Sequence, residues 1–315
     1  MNIFLETFRS LFPLYFYLIL GAVLRKTGII PGSIEKPLNR IVFTVFLPAM
    51  LFLSVYNIDL AEDIQWMSLV FGVVGVIVIA VIAMIVTAKK CESKAVASVV
   101  SQSVYRTNFG VLGIVYPTLL YGADRIGPAS MLIAVIVPVF NILGVINLEL
   151  MRGGAGERPK ISKILKGVIT NPLNLAVLFA LFFHLTGWKI PELILVPFRS
   201  IGDAAPTLAM ILVGAAITLK GMAKNKKLIA ISVGARLVLV PAIMIPLAVI
   251  FGFRDVTLLA LMVAFGGPIA STLPAMAYEM GGDGELAAQS VAVSTVLSLF
   301  TLHILVVLLR TLGYA

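Results

Sequence analysis

The sequence is poor in what soluble enzymes are built from. Only 12% of its 315 residues are charged and 60% are hydrophobic, whereas an ordinary soluble domain is about a quarter charged and nearer half apolar. So little charge cannot cover a water-facing surface, and a mean hydropathy of +1.07 places the chain in a bilayer. The single cysteine, Cys91, cannot close an internal disulfide, and within KKCESK it stands in no metal-ligand spacing. There is no HExxH, no G-x-S-x-G, no cysteine–histidine pairing and no aspartate cluster. The sequence therefore offers neither a metal centre nor an activated nucleophile, implies no cofactor, and argues against an intramembrane enzyme. No stretch is rich enough in Pro, Ser or charge to be a disordered tail, and the longest hydrophilic piece is RGGAGERPKISKILKG, Arg152 to Gly167.

What the chain has instead is apolar runs. A crossing needs roughly 20 apolar residues, and that criterion gives ten helices, at 8–24, 38–56, 66–88, 94–121, 128–150, 168–187, 197–219, 228–252, 256–280 and 286–311. The fold class expected is an all-α membrane protein. The first run is followed by Arg25 and Lys26 with no small-x-small cleavage site, so it reads as a retained helix and not as a signal peptide.

The net charge of +9 takes its meaning from where the bases fall. With the N-terminus outside, the inner loops hold Arg25, Lys26, Lys36 and Arg40, then Lys89, Lys90 and Lys94. They also hold Arg152, Arg158, Lys160, Lys163 and Lys166, and finally Lys220, Lys224, Lys226 and Lys227. The outer side keeps only Arg9, Arg125, Lys189, Arg199, Arg254 and Arg310. Bases are retained on the cytoplasmic side, so both termini are expected outside an inner or plasma membrane. The positive balance is topological and does not point to nucleic acid.

The two halves, 1–151 and 168–315, resemble each other across the linker 152–167. An offset of 160 residues lays Pro31 on Pro191, Pro37 on Pro197, Ile41 on Ile201, Ala49 on Ala209, Met50 on Met210 and Gly122 on Gly282. Thr27-Gly28 meets Thr186-Gly187 one residue out of step. A five-span unit has an odd number of crossings, so its second copy must enter upside down, the inverted symmetry typical of secondary transporters.

The same offset lays RTNFGVLG, Arg106 to Gly113, over GGPIASTL, Gly266 to Leu273, with Asn108 on Pro268. Both segments put helix breakers and polar side chains at mid-membrane depth, where irregular backbone is tolerated only if buried in protein or lining a cavity. A break frees N–H groups on one half-helix and C=O groups on the other, which welcome an anion and a cation respectively. Asn108 both donates and accepts, Ser271 and Thr272 add hydroxyls, Gly110 allows close approach to the backbone, and Pro268 and Pro274 hold the second break open. The alternative is a Pro-kinked, Gly-rich packing helix that binds nothing.

Four motifs resemble the auxin efflux carrier family, within the bile acid/arsenite/riboflavin transporter superfamily. They are NFGVLGIVYP (108–117), NPLNLAVLFAL (171–181), IGDAAPTLAMILVGAAI (201–217) and PIASTLPAMAYEMGGD (268–283), followed by STVLS (294–298). The resemblance implies two inverted five-helix repeats. Helices 1, 2, 6 and 7 would form a dimerising scaffold, and helices 3 to 5 and 8 to 10 a moving transport domain whose helices 4 and 9 cross where they unwind. It implies an elevator-type carrier of organic anions, auxin in plant members and dicarboxylates such as malate or malonate in bacterial ones. With only 152–167 in place of a long cytosolic loop, the chain looks like a bacterial member.

Other polar residues inside the spans are weighed in two ways. Arg106 suits bidentate pairing with a carboxylate, or it neutralises an acid or snorkels. Asn141 extends the site or makes an interhelical hydrogen bond. Asp203 and Arg236 are coupling or gating candidates, because ionisable groups in spans are expensive and often functional, or members of structural ion pairs. Asn171-Pro172 reads as a helix start. Among other functions, an antiporter with acidic residues in helix 5 is disfavoured, since 131–148 contains none. A sodium-coupled symporter of the bile acid type stays open, because Asn, Ser, Thr and freed carbonyls also bind a hard cation. A channel would not need two crossing breaks.

Overall fold

The computed structural model describes residues 3–56, 65–122, 125–151, 170, 172–215 and 222–315. The linker 152–167, Asn171 and the loop after the second expected span lie outside them. Among the described residues the chain is helical throughout, with one isolated antiparallel bridge. In chain order the helices are α1 (Ile3–Lys26), α2 (Gly32–Ile41), α3 (Leu47–Tyr56), α4 (Trp66–Lys90), α5 (Lys94–Tyr105), α6 (Phe109–Tyr121) and α7 (Gly127–Met151). They continue with α8 (Pro172–Thr186), α9 (Glu192–Ala215), α10 (Met222–Gly234), α11 (Val240–Ile250), α12 (Asp255–Gly266), α13 (Leu273–Met280) and α14 (Gly284–Thr311). Two π-helical segments, Val42–Phe46 and Ala235–Leu239, join α2 to α3 and α10 to α11.

Among the described residues, five stretches are long and apolar enough to cross a membrane: Trp66–Lys90, Gly127–Met151, Glu192–Leu212, Asn225–Ile250 and Gly284–Thr311. The sequence pattern gives ten expected spans, two of them carrying helix breakers at mid-membrane depth. The run 94–121 is divided into α5 and α6, and 256–280 into α12 and α13. Helix α4 shows the bilayer's imprint, since Val70, Val74, Ile77, Val78, Val81, Ile82 and Ile85 are all exposed along an apolar stripe that only lipid can cover. By contrast, α12 is buried on every side from Val256 to Gly266, as expected of a helix that is apolar all round and central.

Local chemistry sets the helix ends. Ser93 starts α5 by accepting from the Val96 N–H at 3.2 Å, and Asp283 starts α14 by accepting from Leu286 N–H at 2.9 Å. Lys89 and Lys90 end α4, where cations favour the negative end of the helix dipole. Helices α1 and α9 pack backbone to backbone. A Cβ on Gly21 would meet the Ile211 carbonyl, and one on Gly214 the Leu18 carbonyl. Helix α3 packs on α8, and α14 reaches α1, α5, α10 and α12.

Candidate functional site

The two interrupted helix pairs meet in the interior. After Tyr105 the backbone turns extended at Arg106, with φ −92° and ψ 116°, and resumes at Phe109. In the second pair Pro268 lacks an N–H and drives the preceding residue out of the α region; Gly267 accordingly sits at φ −69° and ψ 165°. Thr107 and Ile269 form the antiparallel bridge. Asn108 N–H donates to the Pro268 carbonyl at 2.9 Å, and Ala270 N–H to the Arg106 carbonyl at 3.2 Å. Each interruption thus satisfies part of the backbone that the other leaves open, as the bilayer interior demands. Thr107 Oγ1 adds a bond to the Ala264 carbonyl at 2.8 Å, and Ser294 Oγ accepts from Ile269 N–H at 3.1 Å.

Asn108 occupies the N-cap position of α6, yet its side chain does not cap the helix and takes no hydrogen-bond partner among the described residues. The first intrahelical bond to Asn108 comes from Leu112 N–H. The N–H groups of Phe109, Gly110 and Val111 therefore have no acceptor among the described residues. Asn108, Pro268, Thr295 and Ser298 line a cavity of about 10 Å³ together with Leu18 of α1 and Met210 of α9. That volume is at the lower limit for one water molecule.

Arg106 points elsewhere. Its side chain is buried, at 3% exposure, and donates to Gln102 Oε1 at 3.2 Å, Asn141 Oδ1 at 3.0 Å, Thr272 Oγ1 at 3.2 Å and the Met276 sulfur. All four acceptors are neutral, and no carboxylate accompanies it among the described residues. Thr272 is the N-cap of α13, so this guanidinium lies at the positive end of a helix dipole. Gln102 Nε2 beside it is a buried donor without a partner. Gly144 gives Arg106 its room, since a Cβ there would stand 2.9 Å from the guanidinium.

The candidate residues thus divide into two groups. Asn108, Gly110 and Pro268 gather at the start of α6, and Arg106, Asn141 and Thr272 at the start of α13. Ser271 is exposed, and Pro274 sits half-buried in the first turn of α13. Asp203 lies on an exposed face of α9. Arg236 is fully buried, and its four hydrogen bonds all go to main-chain carbonyls at the ends of α5 and α12. Reading the sequence does not single out Thr295, Ser298 or Gln102. The first two stand in STVLS, a hydroxyl-bearing run inside an apolar helix, which is a usable signal. Gln102 stands four residues before Arg106, one helical turn away.

The described structure is an all-helical bundle with apolar exposed faces and a polar, irregular backbone site in its interior, an architecture that membrane transport proteins use. The family is shown directly: residues 7–306 match the family described as membrane transport protein, and the chain belongs to it, the auxin efflux carrier family that its motifs resemble. It is also similar to an uncharacterized transporter of Methanothermobacter thermautotrophicus, 23% identical over 303 residues that span 95% of this chain and 97% of that protein.

Proposed function

We propose that the protein is a secondary carrier of organic anions, auxin-like or dicarboxylate, working by an elevator mechanism. Its substrate carboxylate binds where the two interrupted helix pairs meet. The observation that carries this reading is the unspent donor set at the start of α6: the Asn108 amide and three first-turn N–H groups, all beside a small cavity. Freed N–H groups at a helix start favour an anion. Arg106 and Gln102 Nε2 add a second set at the start of α13, where a buried cation already faces a positive dipole end. An arriving carboxylate relieves both.

Supporting an inverted repeat, Gly28 and Gly187 both end helices at positive φ, 82° and 68°, as do Gly122 and Gly281, at 88° and 82°, both pairs one residue out of step with the offset of 160 that lays Gly122 on Gly282. Asn108 and Pro268, equivalent by the offset of 160, are themselves hydrogen-bonded partners. On this reading α1, α2–α3, α8 and α9 form the scaffold and the dimer surface. Helices α4 to α7 and α10 to α14 move as one body. A cavity of about 10 Å³ cannot hold a carboxylate, so binding requires α6 and α14 to part from α1 and α9. The protein lies in the inner or plasma membrane with both termini outside.

Uptake of labelled malate, malonate and auxin into proteoliposomes, under imposed pH, sodium or voltage gradients, tests the function. Saturable uptake of an organic anion is expected. A protein that conducts without saturation is a channel, and the proposal fails.

A further inference from the structure

Arg236 is the most deeply buried ionisable group in the described structure, at 0% exposure, and it meets no carboxylate there. Its Nε donates to the Gly267 carbonyl at 2.8 Å. One Nη donates to the Val104 and Tyr105 carbonyls, each at 3.1 Å, and the other to the Ala264 carbonyl. These four oxygens belong to the last turns of α5 and α12, or to the residue just beyond. At those breaks the carbonyls lose their intrahelical donors. Each helix end carries about half an elementary negative charge, so two converging ends present about one, which a single guanidinium neutralises.

Carbonyl oxygens converging at a doubled helix C-terminus are also what a bare alkali cation seeks, since hard cations take oxygen ligands. We propose that Arg236 is the resident cation of this carbonyl cage. It occupies covalently the place that a coupling sodium or potassium ion would take, so the bundle is held together and the site is kept positive without any bound monovalent metal ion. The inference deepens the anion-carrier reading and rests on it only for the meaning of that charge: with both C-terminal ends neutralised, the N-terminal ends of α6 and α13 are left to attract the anion. The planar fork of arginine reaches both breaks at once, whereas one ammonium has three donors and no fork. Arg236 stands in the π-helical segment Ala235–Leu239, a rare geometry that is frequent at functional sites.

The test uses the purified full-length protein and no substrate, so its failure and the failure of the anion site are separable. Melting midpoints are measured at fixed ionic strength in sodium, potassium and N-methylglucamine chloride. The wild type is expected to melt at the same temperature in all three. Arg236→Ala should melt roughly 10 °C lower in N-methylglucamine chloride, the consequence of leaving a buried charge cluster uncompensated. Sodium, or guanidinium at non-denaturing concentration, should recover part of that loss by entering the emptied cage. Arg236→Lys should fall between the two proteins. A wild type stabilised by sodium or potassium overturns the proposal, as does an Arg236→Ala protein that melts like the wild type or ignores added cations. If Arg236→Ala yields no folded protein, the wild-type series and Arg236→Lys decide: a lysine variant indistinguishable from wild type in midpoint overturns the proposal.

Discussion

Gly267→Ala separates steric necessity at the centre of the bundle from mere packing preference. Gly267 holds a backbone conformation open to any L-residue, φ −69° and ψ 165°, so alanine there carries no dihedral strain. The added methyl is the difficulty: it would stand 2.6 Å from the Val263 carbonyl and 2.7 Å from Thr107 Cγ2. One neighbour is backbone and the other is fixed in the bridge, so neither yields cheaply. Overpacking of this kind costs about 1–3 kcal/mol, while the lost freedom of the unfolded chain returns about 0.4–1 kcal/mol. The steric term wins, leaving a net loss of roughly 1–2 kcal/mol. Uptake should fall further than stability, because the methyl pushes apart the two breaks that position Asn108. Gly234→Ala is the control. Nothing lies within 4 Å of its added Cβ and the residue is helical and exposed, so it should be neutral or stabilising by up to about 1 kcal/mol. Thermal unfolding in detergent and proteoliposome uptake are measured on both. If Gly267→Ala matches Gly234→Ala in both assays, the close contact at the bridge has no consequence and the reasoning is refuted.

Gly214→Ala should separate α1 from α9, because its methyl meets the Leu18 carbonyl; a lowered melting midpoint is the expected result, and a wild-type midpoint would contradict the close packing. Thr272→Val removes an acceptor from Arg106 and leaves a buried guanidinium donor short of a partner, at a cost of about 1–3 kcal/mol. Its melting midpoint should drop while Asn108→Ala melts as the wild type. Cys91, between the Lys89-Lys90 pair and Lys94, should react with a membrane-impermeant maleimide only from the cytoplasmic side; labelling from outside contradicts the topology. Partial burial raises its thiol pKa. The thiolate, the reactive form, is therefore scarcer at neutral pH than in a free thiol, and labelling should accelerate at more alkaline pH than for an exposed cysteine control.

The all-helical membrane architecture is legible from hydropathy alone, because lipid leaves a chain no polar exterior and forces backbone groups to pair within helices. The ingredients of the candidate site are legible too, since Arg106, Asn108, Pro268 and Thr272 are costly residues in apolar runs. Their arrangement is not. Periodicity cannot tell that Arg106 and Asn108, two residues apart on extended backbone, face different neighbours. Nor can it place Arg236, whose partners are carbonyls contributed by segments 28 to 132 residues away: main-chain acceptors carry no sequence signature. Asp203 illustrates the converse. An acidic residue in an apolar run stands out in the sequence as costly, yet only the structure places it on an exposed face of α9.

The measurement that bears most directly on the central claim is substrate affinity of Asn108→Ala beside the wild type, by saturation uptake of the anion that the wild type transports. The substitution deletes a donor that no group among the described residues uses, so folding and membrane insertion should be unchanged. The lost hydrogen bond, about 1–3 kcal/mol, corresponds to roughly 5-fold to 150-fold weaker binding. Affinity reduced in that range with an unchanged melting midpoint is the result expected. An Asn108→Ala protein that binds and transports the anion as the wild type does would contradict a substrate site at the start of α6.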